Sequence, residues 1–254
     1  LYFGKKNFYT DNQNITILRG LSVLLVLLYH LDISLFRNGF LGVDIFFIIS
    51  GYLISRSLIL EKKHNGHINI KNYLYKRFFR IFPTLIFVLT LSFTVCLLML
   101  RPDHFQSFAK SNLTSFFGIS NFYYMLEFSN YFNTGAAFQP LLHKWSLSVE
   151  LQFYLLIPIL IIFFSTNRQK FLLIILFIIS LICFVFLYEK SLSFYFTPFR
   201  FWEFILGILV NFLPRIKNKN HVSIPLIIIF FLLFLNIPSY FLHFIVSVSA
   251  VLFI

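Results

Sequence analysis

Arg19 and His30 stand eleven residues apart in the stretch ILRGLSVLLVLLYHLDISLF, which otherwise reads as a membrane-spanning helix. A helix turns about 100° and rises about 1.5 Å per residue, so this spacing returns to nearly the same face roughly 16 Å further on. Ionisable groups are costly in hydrocarbon, and those found there by default line a cavity or pathway. His30 therefore reads as functional, with a hydrogen bond to a neighbouring helix as the structural alternative. Arg19 is either its partner at the far end of one face or a basic anchor at the membrane boundary. Asp32 lies about 200° from His30 around the same helix and reads as an outer-boundary residue.

Four further groups carry chemistry-bearing side chains. In GFLGVDIFFIISGYLIS, Gly39 and Gly42 permit close helix approach or a tight turn. Asp44, at a depth comparable with His30, is able to orient an imidazole and raise its basicity. Its alternative is a carboxylate favoured by a helix N-terminus. In YKRFFR, Arg77 and Arg80 share a helical face. Paired guanidiniums at a membrane surface suit phosphate oxygens, whether of a ligand or of lipid headgroups. In LLHKWSLSVELQFYLLIP, His143 and Glu150 are seven apart on nearly one face. Glu150 lies well inside the apolar block and requires a partner, structurally an arginine. In TPFRFWEFILG, Arg200 and Glu203 are three apart and are able to neutralise each other.

The elements that must position these residues are membrane helices. The chain has 254 residues, 59% hydrophobic and only 12% charged, with 38 Phe. Soluble chains carry roughly 25% charged residues. The apolar residues fall in blocks near the length that crosses about 30 Å of hydrocarbon, without period-2 alternation, so helices rather than a barrel are expected. The blocks are 16–36, 39–60, 81–100, 141–164, 170–188, 197–213, 222–237 and 239–254. The expected fold is all-α, a polytopic transmembrane bundle of about eight spans in a single integral-membrane domain covering 1–254.

The net charge of +12 would suggest nucleic acid in a soluble chain. Here the basic residues lie mostly between apolar blocks, where they set topology and meet the lipid bilayer, so no nucleic-acid partner is expected. Fifteen Lys and Arg flank one set of connections and six the other, which puts the N-terminus in the cytoplasm. INIKNYLYKRFFRIFP reads as a cytoplasmic interfacial helix running into the third span. The connection 101–140 is too apolar for a free loop and reads as re-entrant or interfacial. Cys96 and Cys183 lie inside apolar blocks, giving neither a disulfide framework nor a metal motif. The chain closes inside the apolar run IVSVSAVLFI, as expected of a domain incomplete at its C-terminus.

Taken together, LRGLSVLLVLLYH, with its Arg-x10-His pattern, GFLGVDIFFIISGYLI, the Arg-x-x-Arg of YKRFFRIFP, HKWSLSVELQFYLLIP and FRFWEFILG resemble the acyltransferase 3 family of polytopic membrane O-acyltransferases. The motifs agree in order and spacing over roughly residues 12 to 210. Family members usually have about ten spans and commonly carry a Ser-Tyr-x-x-Tyr stretch followed by His in a late span. The absence of that pattern here fits a C-terminally truncated member.

The resemblance implies an acyl-CoA-dependent O-acetyltransferase of the bacterial cytoplasmic membrane. Acyl-CoA, commonly acetyl-CoA, is the cytoplasmic donor substrate, with no permanently bound cofactor and no metal. The acceptor is a hydroxyl of an envelope glycan or lipid-linked saccharide. On this reading Arg19, Arg77 and Arg80 hold the donor phosphates. His30 is general base or forms an acyl-histidine, and Asp44 or Glu150 orients His30 or the acceptor. His143, Trp145, Arg200 and Glu203 serve the acceptor side or the structure. The alternative function is a proton-coupled transporter or flippase of an envelope precursor, since membrane His, Asp and Glu also relay protons. Against it stand the missing internal repeat and the phosphate-suited arginines. A purely structural membrane subunit leaves the intramembrane ionisable residues without a reason.

Overall fold

The computed structural model describes residues 3–127, 139–163, 166–187, 191–213 and 239–254. Among these residues every regular element is helical. In chain order they are α1 (Phe3–His30), two 3-10 turns (Ser34–Phe36 and Gly39–Leu41), α2 (Gly42–Asn65), α3 (Ile70–Met99), α4 (Pro102–Phe116), α5 (Ser120–Glu127), α6 (Lys144–Phe163), α7 (Thr166–Phe186), α8 (Ser191–Tyr195), α9 (Thr197–Val210) and α10 (Ser239–Phe253).

The all-α expectation holds, but the expected count of about eight spans does not. Four helices among the described residues are long and apolar enough to cross a membrane: Gln13–His30, Gly39–Asn65, Ile70–Met99 and Lys144–Ile162. Two further apolar helices, Lys170–Phe186 and Phe241–Phe253, are shorter. The expected span 197–213 becomes the 14-residue helix α9, about 21 Å long against a core of about 30 Å. The expected span 222–237 lies outside the described residues. Hydropathy blocks overcount here because an apolar run does not state where its helix stops. The first block illustrates this. α1 ends at His30, and Asp32 adopts a left-handed φ of 54°, so 31–36 continues as a turn. The helical-wheel argument for Asp32 therefore has no helix to act on.

The third block is continuous with the segment before it, as expected. The basic aromatic segment and the third span form one helix, α3, of 30 residues through Pro83. The Asn69 side chain starts it by accepting from the Asn72 N–H at 3.0 Å. At the other end of the preceding helix, Lys62, Lys63 and His64 occupy the last turn of α2, where cations favour the helix dipole. The described residues of the connection 101–140 include two helices, α4 and α5.

The chain divides into two compact units: residues 1–57 with 202–254, and residues 58–201. In the first unit, Leu18, Leu25, Leu41, Ile45 and Ile48 pack with Leu242, Val246 and Ala250. Glycines allow this packing. A Cβ on Gly42 would run into the Ser22 carbonyl, and one on Gly39 into the Leu25 carbonyl. The expected close approach at these two positions is present. Gly51 and Gly207 do the same between α2 and α9, facing the carbonyls of Phe204 and Ile48.

The core of the second unit joins Leu85, Leu89 and Cys96 of α3 to Phe108 and Leu141. A polar lattice ties α5 to α6 and to the segment that begins α9. The Asn121 amide donates to the Tyr195 carbonyl and the Thr197 hydroxyl, each at 3.0 Å. Gln152 donates to the Gly118 carbonyl at 3.0 Å and to Asn121 Oδ1 at 2.9 Å, and Thr197 bonds Gln152 in return. Satisfied polar groups in a buried setting specify one arrangement, because any slip leaves a dehydrated donor without a partner. Both cysteines are free thiols.

Candidate functional site

In the first unit the functional side chains sit on three helices. Asp44 occupies the first turn of α2, Glu203 the middle of α9, and His243 the first part of α10. Exposure is 0% for all three. His243 Nδ1 bonds the Asp44 carboxylate directly. One donor atom from each of the three residues lies within 4.8 Å of the others. Two carboxylates and an imidazole are also a donor set able to hold a cation. Here, however, Nδ1 already faces Asp44, so the arrangement in hand is a hydrogen-bonded cluster. Burying a carboxylate without such a partner would cost several kcal/mol. The sequence pattern does not single out His243. It lies in an apolar run, and its partner is 199 residues away.

His30 is the last residue of α1 and is exposed. Its Nδ1 lies 2.7 Å from the Val26 carbonyl. A carbonyl only accepts, so Nδ1 carries the proton and the basic lone pair belongs to Nε2. The imidazole also meets Tyr29 edge-on, with centroids 5.3 Å apart. Tyr29 in turn meets Phe40 at 5.7 Å, and Phe40 meets His243 at 5.5 Å. Arg19, half-buried on α1, places its guanidinium 5.9 Å from the Phe46 ring centroid.

The second unit holds a different cluster. Arg77 lies over the rings of Tyr73 and Tyr154, at 5.6 and 5.5 Å. The Tyr154 hydroxyl donates to the Glu150 carboxylate, and the Tyr73 hydroxyl donates to the Tyr154 carbonyl at 3.2 Å. Arg77 and Arg80 both act electrostatically on Tyr154. The structure thus gathers Arg77, Arg80 and Glu150 around one phenol. Sequence reasoning misses both tyrosines, although a signal is present. Tyr73 precedes Arg77 by four residues and Tyr154 follows Glu150 by four, the spacing of helical neighbours.

Of the acceptor-side candidates, Trp145 and Arg200 come together. His143 is exposed in the turn before α6, where its carbonyl receives the Ser146 hydroxyl at 3.1 Å. Trp145 is buried against Phe194, centroids 4.6 Å apart. Arg200, 1% exposed, has its guanidinium 5.8, 5.3 and 5.5 Å from the rings of Trp145, Phe184 and Phe194. Three ring faces attract a dehydrated cation through their quadrupoles. In α5, burial pushes the Tyr123 and Tyr124 phenols up, so both remain neutral at physiological pH. Tyr123 bonds the Ser107 hydroxyl at 3.0 Å, which Gln139 also reaches at 3.2 Å.

Comparison with known proteins returns one family model, described as an acyltransferase domain, over residues 12–253. A candidate O-acetyltransferase of Staphylococcus aureus strain COL is 35% identical over 213 residues, 80% of this chain and 35% of the relative. The O-acetyltransferase OatA of Staphylococcus aureus strain NCTC 8325 is 31% identical over 220 residues, 83% of this chain and 36% of the relative. The chain therefore spans about a third of the length of these relatives. No solved structure matches.

Proposed function

The chain belongs to the membrane acyltransferase-domain family, and from that premise we propose that it is an O-acetyltransferase using acetyl-CoA as donor. The acceptor is a hydroxyl of a cell-envelope glycan or lipid-linked sugar. The protein sits in the bacterial cytoplasmic membrane with its N-terminus in the cytoplasm, as the distribution of Lys and Arg supports.

One observation carries the chemistry: His30 donates from Nδ1 to the Val26 carbonyl, which leaves Nε2 as the basic nitrogen at an exposed helix end. The acceptor hydroxyl loses its proton to Nε2 as its oxygen attacks the thioester carbonyl. The tetrahedral intermediate then expels the coenzyme A thiolate, which takes the proton back from the imidazolium. The products are the O-acyl ester and free coenzyme A, and the imidazole is regenerated. Arg77 and Arg80 hold donor phosphates. Their half-buried and exposed positions leave guanidinium donors for an anion, and Tyr73 and Tyr154 support the Arg77 end. Arg19 adds a third cation at the head of the apolar part of α1. Glu150, held by Tyr154, orients the acceptor.

The test is acetyl transfer from labelled acetyl-CoA in membranes carrying the full-length protein. His30→Ala should lower kcat by about 10²- to 10⁴-fold, the usual contribution of a positioned general base. Transfer at the unaltered rate would remove His30 from the reaction.

A further inference from the structure

We propose that His243 is a positioning residue for His30, acting through the Phe40 and Tyr29 rings. This inference rests on the acyl-transfer reading above.

His30 stands at the C-terminal end of α1, where the last turn of a helix has carbonyls without onward helical partners. Its own backbone contact, to Val26, restrains one edge of the ring. A base must be held within a fraction of an ångström and a few degrees of its working geometry. Further restraint comes from what packs behind it. That support is a continuous row of rings within the first unit: His30 on Tyr29, Tyr29 on Phe40, and Phe40 on His243. Such offset and edge-on pairs have preferred geometries, so each ring limits the next.

The row is anchored at its far end. His243 is bonded to Asp44 and grouped with Glu203, so α10, α2 and α9 all converge on its imidazole. Turning that ring would break a charge-assisted bond in a site with no exposure. The middle of the row is pressed into place by glycine. A Cβ on Gly39 would collide with the Leu25 carbonyl and lie 3.0 Å from Tyr29 Cβ, so glycine lets the turn carrying Phe40 lie against Tyr29. Asp44 thereby bears on His30 at a distance, through His243, in place of the direct carboxylate–imidazole contact that the sequence invites.

The experiment uses the full-length protein in membranes with four variants: His243→Ala, His243→Asn, Phe40→Ala and Phe40→Leu. His243→Asn keeps a donor for Asp44 and loses the ring, which separates the anchor from the row. In all four, kcat for acetyl transfer should fall about tenfold or more, the scale of a small misplacement of a catalytic group. KM for acetyl-CoA should stay within about twofold, because the donor contacts are untouched. A second readout is independent of activity: carbethoxylation by diethylpyrocarbonate, located by mass spectrometry. The rate at His30 should rise about twofold or more as its packing loosens, with His104, exposed in the other unit, as the unchanged control. Unchanged kcat, or unchanged labelling of His30 in folded variants, would overturn the proposal. If His243→Ala fails to fold, the other three variants decide. A wild-type protein that transfers nothing from acetyl-CoA overturns the acyl-transfer reading instead, and the labelling still decides whether His243 positions His30.

Discussion

Asp44 in the first unit and Glu150 in the second are both buried carboxylates, and they find partners in different ways. Asp44 is satisfied by His243, which the chain brings from 199 residues away. Glu150 is satisfied by Tyr154, four residues along its own helix, beside a half-buried arginine. The first solution exists only when α2 and α10 have docked. The second is formed as soon as α6 is helical, and it is completed by Tyr73 and Arg77 from α3. A tertiary pair ties function to the fold of its unit. A local pair does not depend on the docking of distant helices.

Substitutions break this comparison with graded effects. The largest belongs to Asp44→Ala. It leaves His243 in a closed site without the carboxylate it bonds, and breaking one side of a buried charged pair costs about 3–5 kcal/mol. Denaturant unfolding in detergent should show it, and a stability equal to wild type would mean that the cluster is not what holds α10. Arg77→Ala comes next. It should weaken acetyl-CoA binding about 10- to 100-fold, since hydrogen bonds to charged groups contribute about 1.5–3 kcal/mol each. Titration with labelled acetyl-CoA measures it, and unaltered affinity would return this arginine to lipid headgroups. The smallest effect is expected of Tyr154→Phe. It removes one hydroxyl from a local pair that Arg77 still flanks, with a loss of stability of about 1 kcal/mol. A loss as large as that of Asp44→Ala would erase the distinction between the two clusters.

Several of these features are legible in the amino-acid sequence. Arg19 and His30 share α1 as their spacing requires, and Gly39 and Gly42 make the close approach that their size allows. Arg77, Arg80 and Glu150, which the sequence offers separately, share one tyrosine. Other features mislead for identifiable reasons. Apolar content marks out the blocks but not their ends, so it gives too many spans and carries the end of α1 beyond His30. Beyond their spacing of three, the structure adds surroundings that the sequence does not state: Arg200 lies among three aromatic rings, and Glu203 groups with Asp44 and His243.

The sequence by itself determined the class of molecule and the family motifs, because helix periodicity and the cost of charge in hydrocarbon act within about twenty residues. It also marked His30 as an ionisable group within an apolar run. Only the tertiary structure decided which imidazole meets Asp44, which rings stand behind His30, and which nitrogen of His30 is basic. Those choices depend on packing between helices far apart in the chain. An apolar run containing one histidine looks the same in sequence whether its imidazole faces lipid or a carboxylate.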